Sequence, residues 1–240
     1  MEGHQEAGSS EPVSAAEAIA AVVARMEEIA APLDESDGVR RFNELYLAVT
    51  REVAENTAAD TFEDPTFISR LDVIFADLYF AAVDEDADGK EPSKAWVPLF
   101  EERHKKGVAP LQFAIAGMNA HINHDLALAL VDTCDEFGVG LDTDTKQHRD
   151  YIAVNKILEQ VQDEIKDQFT TGVIADIDTT FGTADDMVAS WSVARARDAA
   201  WTAAQVLAAV DGNAFLRKAF LADLGRRTGF AGRLLLARSS

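Results

Sequence analysis

The chain has 240 residues, 48% of them apolar, and a formal net charge of −20 at pH 7. That length and apolar share can bury one substantial core, while the charge excludes holding nucleic acid by phosphate neutralisation, which takes a basic surface. The single cysteine, Cys134, allows neither an intrachain disulfide nor a Cys-rich structural zinc site.

The charge is uneven: residues 1–180 carry 14 Lys/Arg against 37 Asp/Glu, and residues 181–240 carry 8 against 5. The mildly basic C-terminal quarter is therefore expected to dock onto the acidic remainder. The N-terminus lacks the positively charged start of a signal peptide. No apolar run approaches the roughly 20 residues a membrane span needs. The expectation is a cytoplasmic protein with no membrane partner.

Residues 1–12 are polar and rich in Gly, Ser and Glu, which predicts a disordered tail ahead of a single helical domain over 13–240. Ser14 and Glu17 have the spacing of a capping box. Ala18, Ala21, Val22, Met26 and Ile29 then mark a first helix, ended by Pro32. Phe42, Leu45, Tyr46, Val49 and Val53 mark a second. A third, opened by Pro65, carries Phe67, Leu71, Ile74, Phe75, Leu78 and Tyr79. The run Asp84–Pro92 reads as an acidic loop; Ala95 stands where an EF-hand would need its closing glutamate, so no calcium loop is expected.

A short helix around Trp96–His104 leads into a central one from about Pro110 to Phe137. A long amphipathic helix is predicted from Lys146 to Phe169, an Ala-rich one from Asp185 to Val210, and a last one from Ala214 to Ala237, broken near Gly225–Gly232. No segment alternates like a strand. The fold class is all-α: a single-domain bundle of about seven or eight helices around the apolar helix at 110–137.

That central helix reads "GVAPLQFAIAGMNAHINHDLALALVDTCDEFG" from Gly107 to Gly138, and it has no plainly solvated face. A helix apolar nearly all round sits inside its bundle, so its polar side chains must find partners or line a wet cavity, at about 1–3 kcal/mol for each one left alone. At about 100° per residue, His121, His124 and Asp125 share one stripe with Gly117. Asn119 and Asn123 lie nearly opposite with Gln112. His121 and Asp125, four apart, can bond each other, and a carboxylate there fixes the imidazole tautomer, as a general base requires. Gly117 leaves room for another backbone or a ligand.

The expected site is therefore catalytic His121, Asp125 and His124. Asn119, Asn123, Arg195, Trp191, Tyr46 and Tyr79 are the candidates for holding a substrate. Arg195 and Trp191 are chosen because they share a stripe of the helix "WSVARARDAAW". A metal set of His121, His124, Asp125 and His104 is the alternative, the last from a Glu-x-x-His pair at Glu101–His104. No cofactor follows firmly from this pattern, and one divalent ion stays open.

Two resemblances bear on this. The segments "RLDVIFADLYF", "AGMNAHINHDL" and "WSVARARDAAW" are similar to a bacterial all-helical family catalogued only as a domain of unknown function, which implies a helical domain and transfers no reaction. The His-x-x-x-Asp element His121–Asp125 alone resembles the helices of the zinc phospholipase C and single-strand nuclease enzymes. With His4, His104 and His148 the only other histidines, that family's three-zinc site is not expected. Three functions follow as expectations. The first is an enzyme acting on an apolar small molecule or specialised metabolite by acid/base chemistry (a hydrolase, isomerase or cyclase). The others are a metal-dependent hydrolase at the same cluster and a non-catalytic helical binding or scaffold protein.

Overall fold

The Ser14 hydroxyl accepts the Glu17 N–H at 3.2 Å, and the Glu17 carboxylate accepts the Ser14 N–H at 2.9 Å. This reciprocal cap opens α1 (Ala15–Ala30), whose Ile19, Val22, Met26 and Ile29 are buried along one face. The computed structural model describes residues 14–58, 61–158 and 192–237. The predicted tail at 1–12, the distal part of the helix expected over 146–169, the start of the Ala-rich helix at Asp185 and the substrate candidate Trp191 lie outside them.

The further elements are α2 (Gly38–Ala58), α3 (Pro65–Ala87), α4 (Val97–Glu102), α5 (Pro110–Ala120) and α6 (Leu126–Phe137). A widened helical turn, His121–Asp125, joins α5 to α6. The described part of α7 covers 146–158. α8 (Val193–Val210) and α9 (Ala214–Leu235) complete the order. Among the described residues there is no strand, and the architecture is an all-α bundle. Caps set the helix ends as elementary chemistry demands: Asp64 and Pro65 start α3, Gly138 at φ 62° ends α6, and Asn213 accepts the Phe215 and Leu216 N–H groups to start α9.

The central helix α5–α6 packs against α2, α3, α8 and α9, while α1 lies across α2 and α3. Its contact with α2 is made by glycine and phenylalanine in both directions. A Cβ on Gly117 would fall 2.3 Å from the Phe42 ring, and one on Gly38 would fall 2.4 Å from the Phe113 ring. The room predicted at Gly117 is thus filled by Phe42.

Two expected boundaries change. α3 runs on to Ala87, taking the first four residues of the acidic run into helix. α9 is continuous through Gly225–Gly232, because those glycines are points of close approach and not breaks. A Cβ on Gly229 would lie 2.2 Å from the Lys94 carbonyl oxygen, and Gly232 faces Pro98 and Asn119. The basic last helix does dock on the body, and two central-helix side chains hold it there. Asn119 Nδ2 donates to the Thr228 carbonyl at 2.9 Å, and Gln112 Nε2 donates to the Leu235 and Ala237 carbonyls at 2.8 and 3.1 Å.

Candidate functional site

The polar residues of the central helix sit where its hydrogen bonding changes. The Leu126 N–H bonds back to the His121 carbonyl, five residues away, so His121–Asp125 forms a π turn. Such a turn inserts one residue and swings side chains off the α-helical stripe. It brings both imidazoles onto one carboxylate. Asp125 Oδ2 accepts from Trp96 Nε1 at 2.8 Å and lies 3.1 Å from His121 Nδ1, while Oδ1 lies 2.7 Å from His124 Nδ1. Burial opposes ionisation of Asp125, but the two imidazole donors outweigh it and hold the carboxyl below its ordinary value. An ionised Asp125 accepts from Nδ1 of both histidines, so that the Nε2 atoms point away from it.

Those two nitrogens face different spaces. His124 lines an open cleft of about 480 Å³ beside Ser93, Lys94 and the first turns of α9. His121 is 1% exposed and set among aromatic rings: Phe75 stacks on it at 3.5 Å between centroids, and Tyr46 meets it edge-on at 4.6 Å. Its Nε2 is sealed from solvent and has no hydrogen-bond partner. Burial lowers the His121 pKa below the usual histidine value, although Asp125 pulls it upward. The neutral base is the favoured form.

His121 opens onto a chamber of about 60 Å³ between α2, α3, the π turn, α7 and α8. Tyr46 and Asp72 line it as well; Asp72 Oδ2 is buried without a hydrogen-bond partner, while Tyr46 Oη has the Thr50 hydroxyl beside it. Burial pushes the Asp72 carboxyl up to about 7, against the lowering influence of Arg197. Arg197 also lines the chamber. It is held by Asn155 Oδ1 and the Tyr151 carbonyl, each at 2.7 Å, and its guanidinium lies 4.0 Å from the Tyr151 ring centre. Two unpartnered buried atoms, His121 Nε2 and Asp72 Oδ2, on residues that line one chamber depart from the rule that buried polar groups are paired.

The placement of the predicted residues is mixed. His121, Asp125, His124 and Tyr46 come together as described. Asn119 and Asn123 bond each other at 3.2 Å, and Asn119 is committed to α9. Tyr79 donates to Asn43 Oδ1 at 3.1 Å and is likewise occupied. Arg195 is exposed, and the guanidinium at the chamber belongs to Arg197 instead. The candidate Arg195 does not line the chamber. Arg197 stands between Val193, Ala200 and Trp201 on the apolar stripe of α8, and a charge in that position was the available signal. Asp72, three residues before Phe75 on α3, carried the same signal.

The metal expectation is corrected. Among the described residues no three His, Cys, Asp or Glu side chains are placed to share an ion. The imidazole nitrogens nearest Asp125 are spent on its oxygens, and the free ones face separate spaces. His104 is 72% exposed and lies 3.8 Å from Asp37 instead. Cys134, buried, has its thiol pushed up to about 11, which suits packing and not nucleophilic attack.

A family model described as a family of unknown function, DUF5995, matches residues 19–238. The chain belongs to the DUF5995 family. This agrees with the resemblance carried by "AGMNAHINHDL" and "WSVARARDAAW", and the likeness to zinc phospholipase C finds no support. No curated protein and no solved structure matches the chain. No helix among the described residues is long and apolar enough to cross a membrane.

Proposed function

We propose that the chamber beside His121 binds a small molecule and that His121 acts there as a general base. The observation that carries this is the buried, unpartnered Nε2 of His121, a residue that lines one chamber together with Tyr46, Asp72 and Arg197. An imidazole kept neutral by burial, and oriented by an ionised carboxylate on its far nitrogen, has the protonation state and direction a base needs. Arg197 supplies a fixed positive charge for negative charge developing on a bound oxygen. His124, on the far side of Asp125, helps hold that carboxylate and does not reach the chamber.

The volume bounds the ligand. A void of 60 Å³ exceeds the roughly 10–15 Å³ one water needs, yet is under half the roughly 150 Å³ that admits benzene. The ligand is a molecule of a few heavy atoms, or the reacting end of a larger metabolite. The walls are largely apolar, with Leu71, Met118 and Leu126 among them.

The experiment is a fragment screen read on the methyl resonances of Met118 and Leu126, repeated in Leu71→Trp, which fills the chamber. Fragments that shift those methyls in the natural protein and not in the filled variant support the reading. If no fragment perturbs them, the non-catalytic, structural alternative replaces it.

A further inference from the structure

Asp72 occupies the same face of α3 as Phe75, one turn earlier, so the ring that stacks on His121 also sets the register that turns Asp72 toward the chamber. We propose that Asp72 is the second proton-transfer group of this site, a carboxylic acid that donates to a substrate carbonyl oxygen while His121 removes a proton from the adjacent carbon. The substrate class is then a small aldehyde or ketone bearing an α C–H bond, and the reaction is a proton-shift isomerisation. This rests on His121 being the base.

The chamber contains the two halves such a reaction needs. His121 presents a lone pair, and Asp72 presents an oxygen that no protein donor satisfies. Asp72 is partly buried with Oδ2 shut off from solvent, and a carboxylate so placed is costlier than the neutral acid, which carries a proton to give. The charged and titratable groups lining the chamber with Asp72 are Tyr46 from α2, His121 from the π turn and Arg197 from α8. Arg197 favours ionisation of Asp72, and burial outweighs it, in keeping with the raised carboxyl. Pairs of titratable groups pushed in opposite directions within one site mark acid and base assignments.

The protons balance without a further reactant. His121 Nε2 takes the α-proton and becomes imidazolium, the C–H electron pair forms the C=C bond, and the carbonyl oxygen takes the Asp72 proton. In the return half, a hydroxyl on the neighbouring carbon gives its proton to Asp72, the C=O bond forms there, and the imidazolium delivers its proton to the former carbonyl carbon. The enediol between them is neutral, the Asp72 carboxylate it leaves behind has Arg197 as a cation lining the same chamber, and both side chains end in their starting states. A substrate with a hydroxyl beside the carbonyl is thus required for net isomerisation, while any small ketone with an α C–H exchanges hydrogen.

Hydroxyacetone in deuterated buffer at pH 6.5 is the probe, with loss of its α-proton signal followed by NMR in the natural protein, His121→Gln and Asp72→Asn. Exchange well above buffer, abolished in His121→Gln and reduced at least about 100-fold in Asp72→Asn, is the expected result. Asp72→Asn exchanging at the natural rate while His121→Gln does not overturns the acid and leaves the base standing. Both variants exchanging at the natural rate overturns both, and no exchange by the natural protein overturns the substrate class. Infrared difference spectra read the acid independently of turnover. A protonated-carboxyl band present at pH 6 and missing from Asp72→Asn is expected, and its absence from the natural protein overturns the proposal.

Discussion

The ring of Phe75 lies flat on the imidazole of His121, centroids 3.5 Å apart and planes 5° from parallel. The contact joins α3 to the π turn and keeps water off one face of the base. Phe75→Ala should therefore lower stability by about 2–3 kcal/mol, less than a fully buried phenylalanine because Phe75 is half-buried. It should also raise the His121 pKa, since burial is the main cause of its depression. Denaturant unfolding and an NMR titration of the imidazole check the two effects.

Asp125 accepts from Trp96 and both histidines, and an asparagine cannot replace it. One carboxamide oxygen remains, and the amide N–H groups face N–H donors. Asp125→Asn should cost about 3 kcal/mol, whereas Trp96→Phe, which removes one hydrogen bond, should cost about 1 kcal/mol. Unfolding midpoints of the two variants give the comparison. Equal losses would mean that the carboxylate does not organise the cluster.

Glycines of one composition should behave in two ways. Gly229→Ala sets a Cβ 2.2 Å from the Lys94 carbonyl oxygen, and Gly117→Ala sets one 2.3 Å from the Phe42 ring, while nothing lies within 4 Å of Gly212. The first two should destabilise by about 2 kcal/mol or more through overpacking, and Gly212→Ala should change stability by under about 1 kcal/mol. Gly229→Ala should in addition free α9, read as faster proteolysis within 214–235.

Acidification should move His121 and Asp72 in opposite directions. The folded-state pKa of His121 is depressed, so the unfolded chain binds more protons and stability falls as pH drops below about 6.5. Asp72 is raised to about 7 from 3.8, so the folded state keeps its proton and stability is lost as pH rises from about 4 to 7. Relative to the natural protein, Asp72→Asn should gain on the order of 2 kcal/mol between pH 4 and 7. His121→Asn should gain as pH falls below 6.5. Asp125, depressed, adds stability present above about 4 and lost as pH falls through its lower folded value. Melting temperatures across pH 4–8 test the first two, and carrying the scan below pH 4 tests the third.

Much of this was legible in the chain. Ser14 with Glu17, Pro65 and Gly138 mark helix ends through local bonding and backbone preference, which need no knowledge of the rest of the fold. The apolar spacing of Ile19, Val22, Met26 and Ile29 reports one buried face for the same reason. The all-round apolar character of 110–137 placed that helix inside the bundle and identified His121, His124 and Asp125 as residues needing partners. The expected metal set did not form among the described residues, because His104 entered it by spacing alone and the fold leaves it exposed beside Asp37.

Local periodicity therefore determined the helices, the central position of α5–α6 and the presence of a buried imidazole–carboxylate group. It did not determine which polar residues meet. A straight 100° count fails across the π turn, whose extra residue rotates the side chains beyond it, and only tertiary packing set Arg197 and not Arg195 at the chamber or placed Asp72 and His121 on its walls. Those encounters depend on the register between helices far apart in sequence. That register is set by contacts such as Phe42 on Gly117 and Phe75 on His121, which no single helix's pattern encodes.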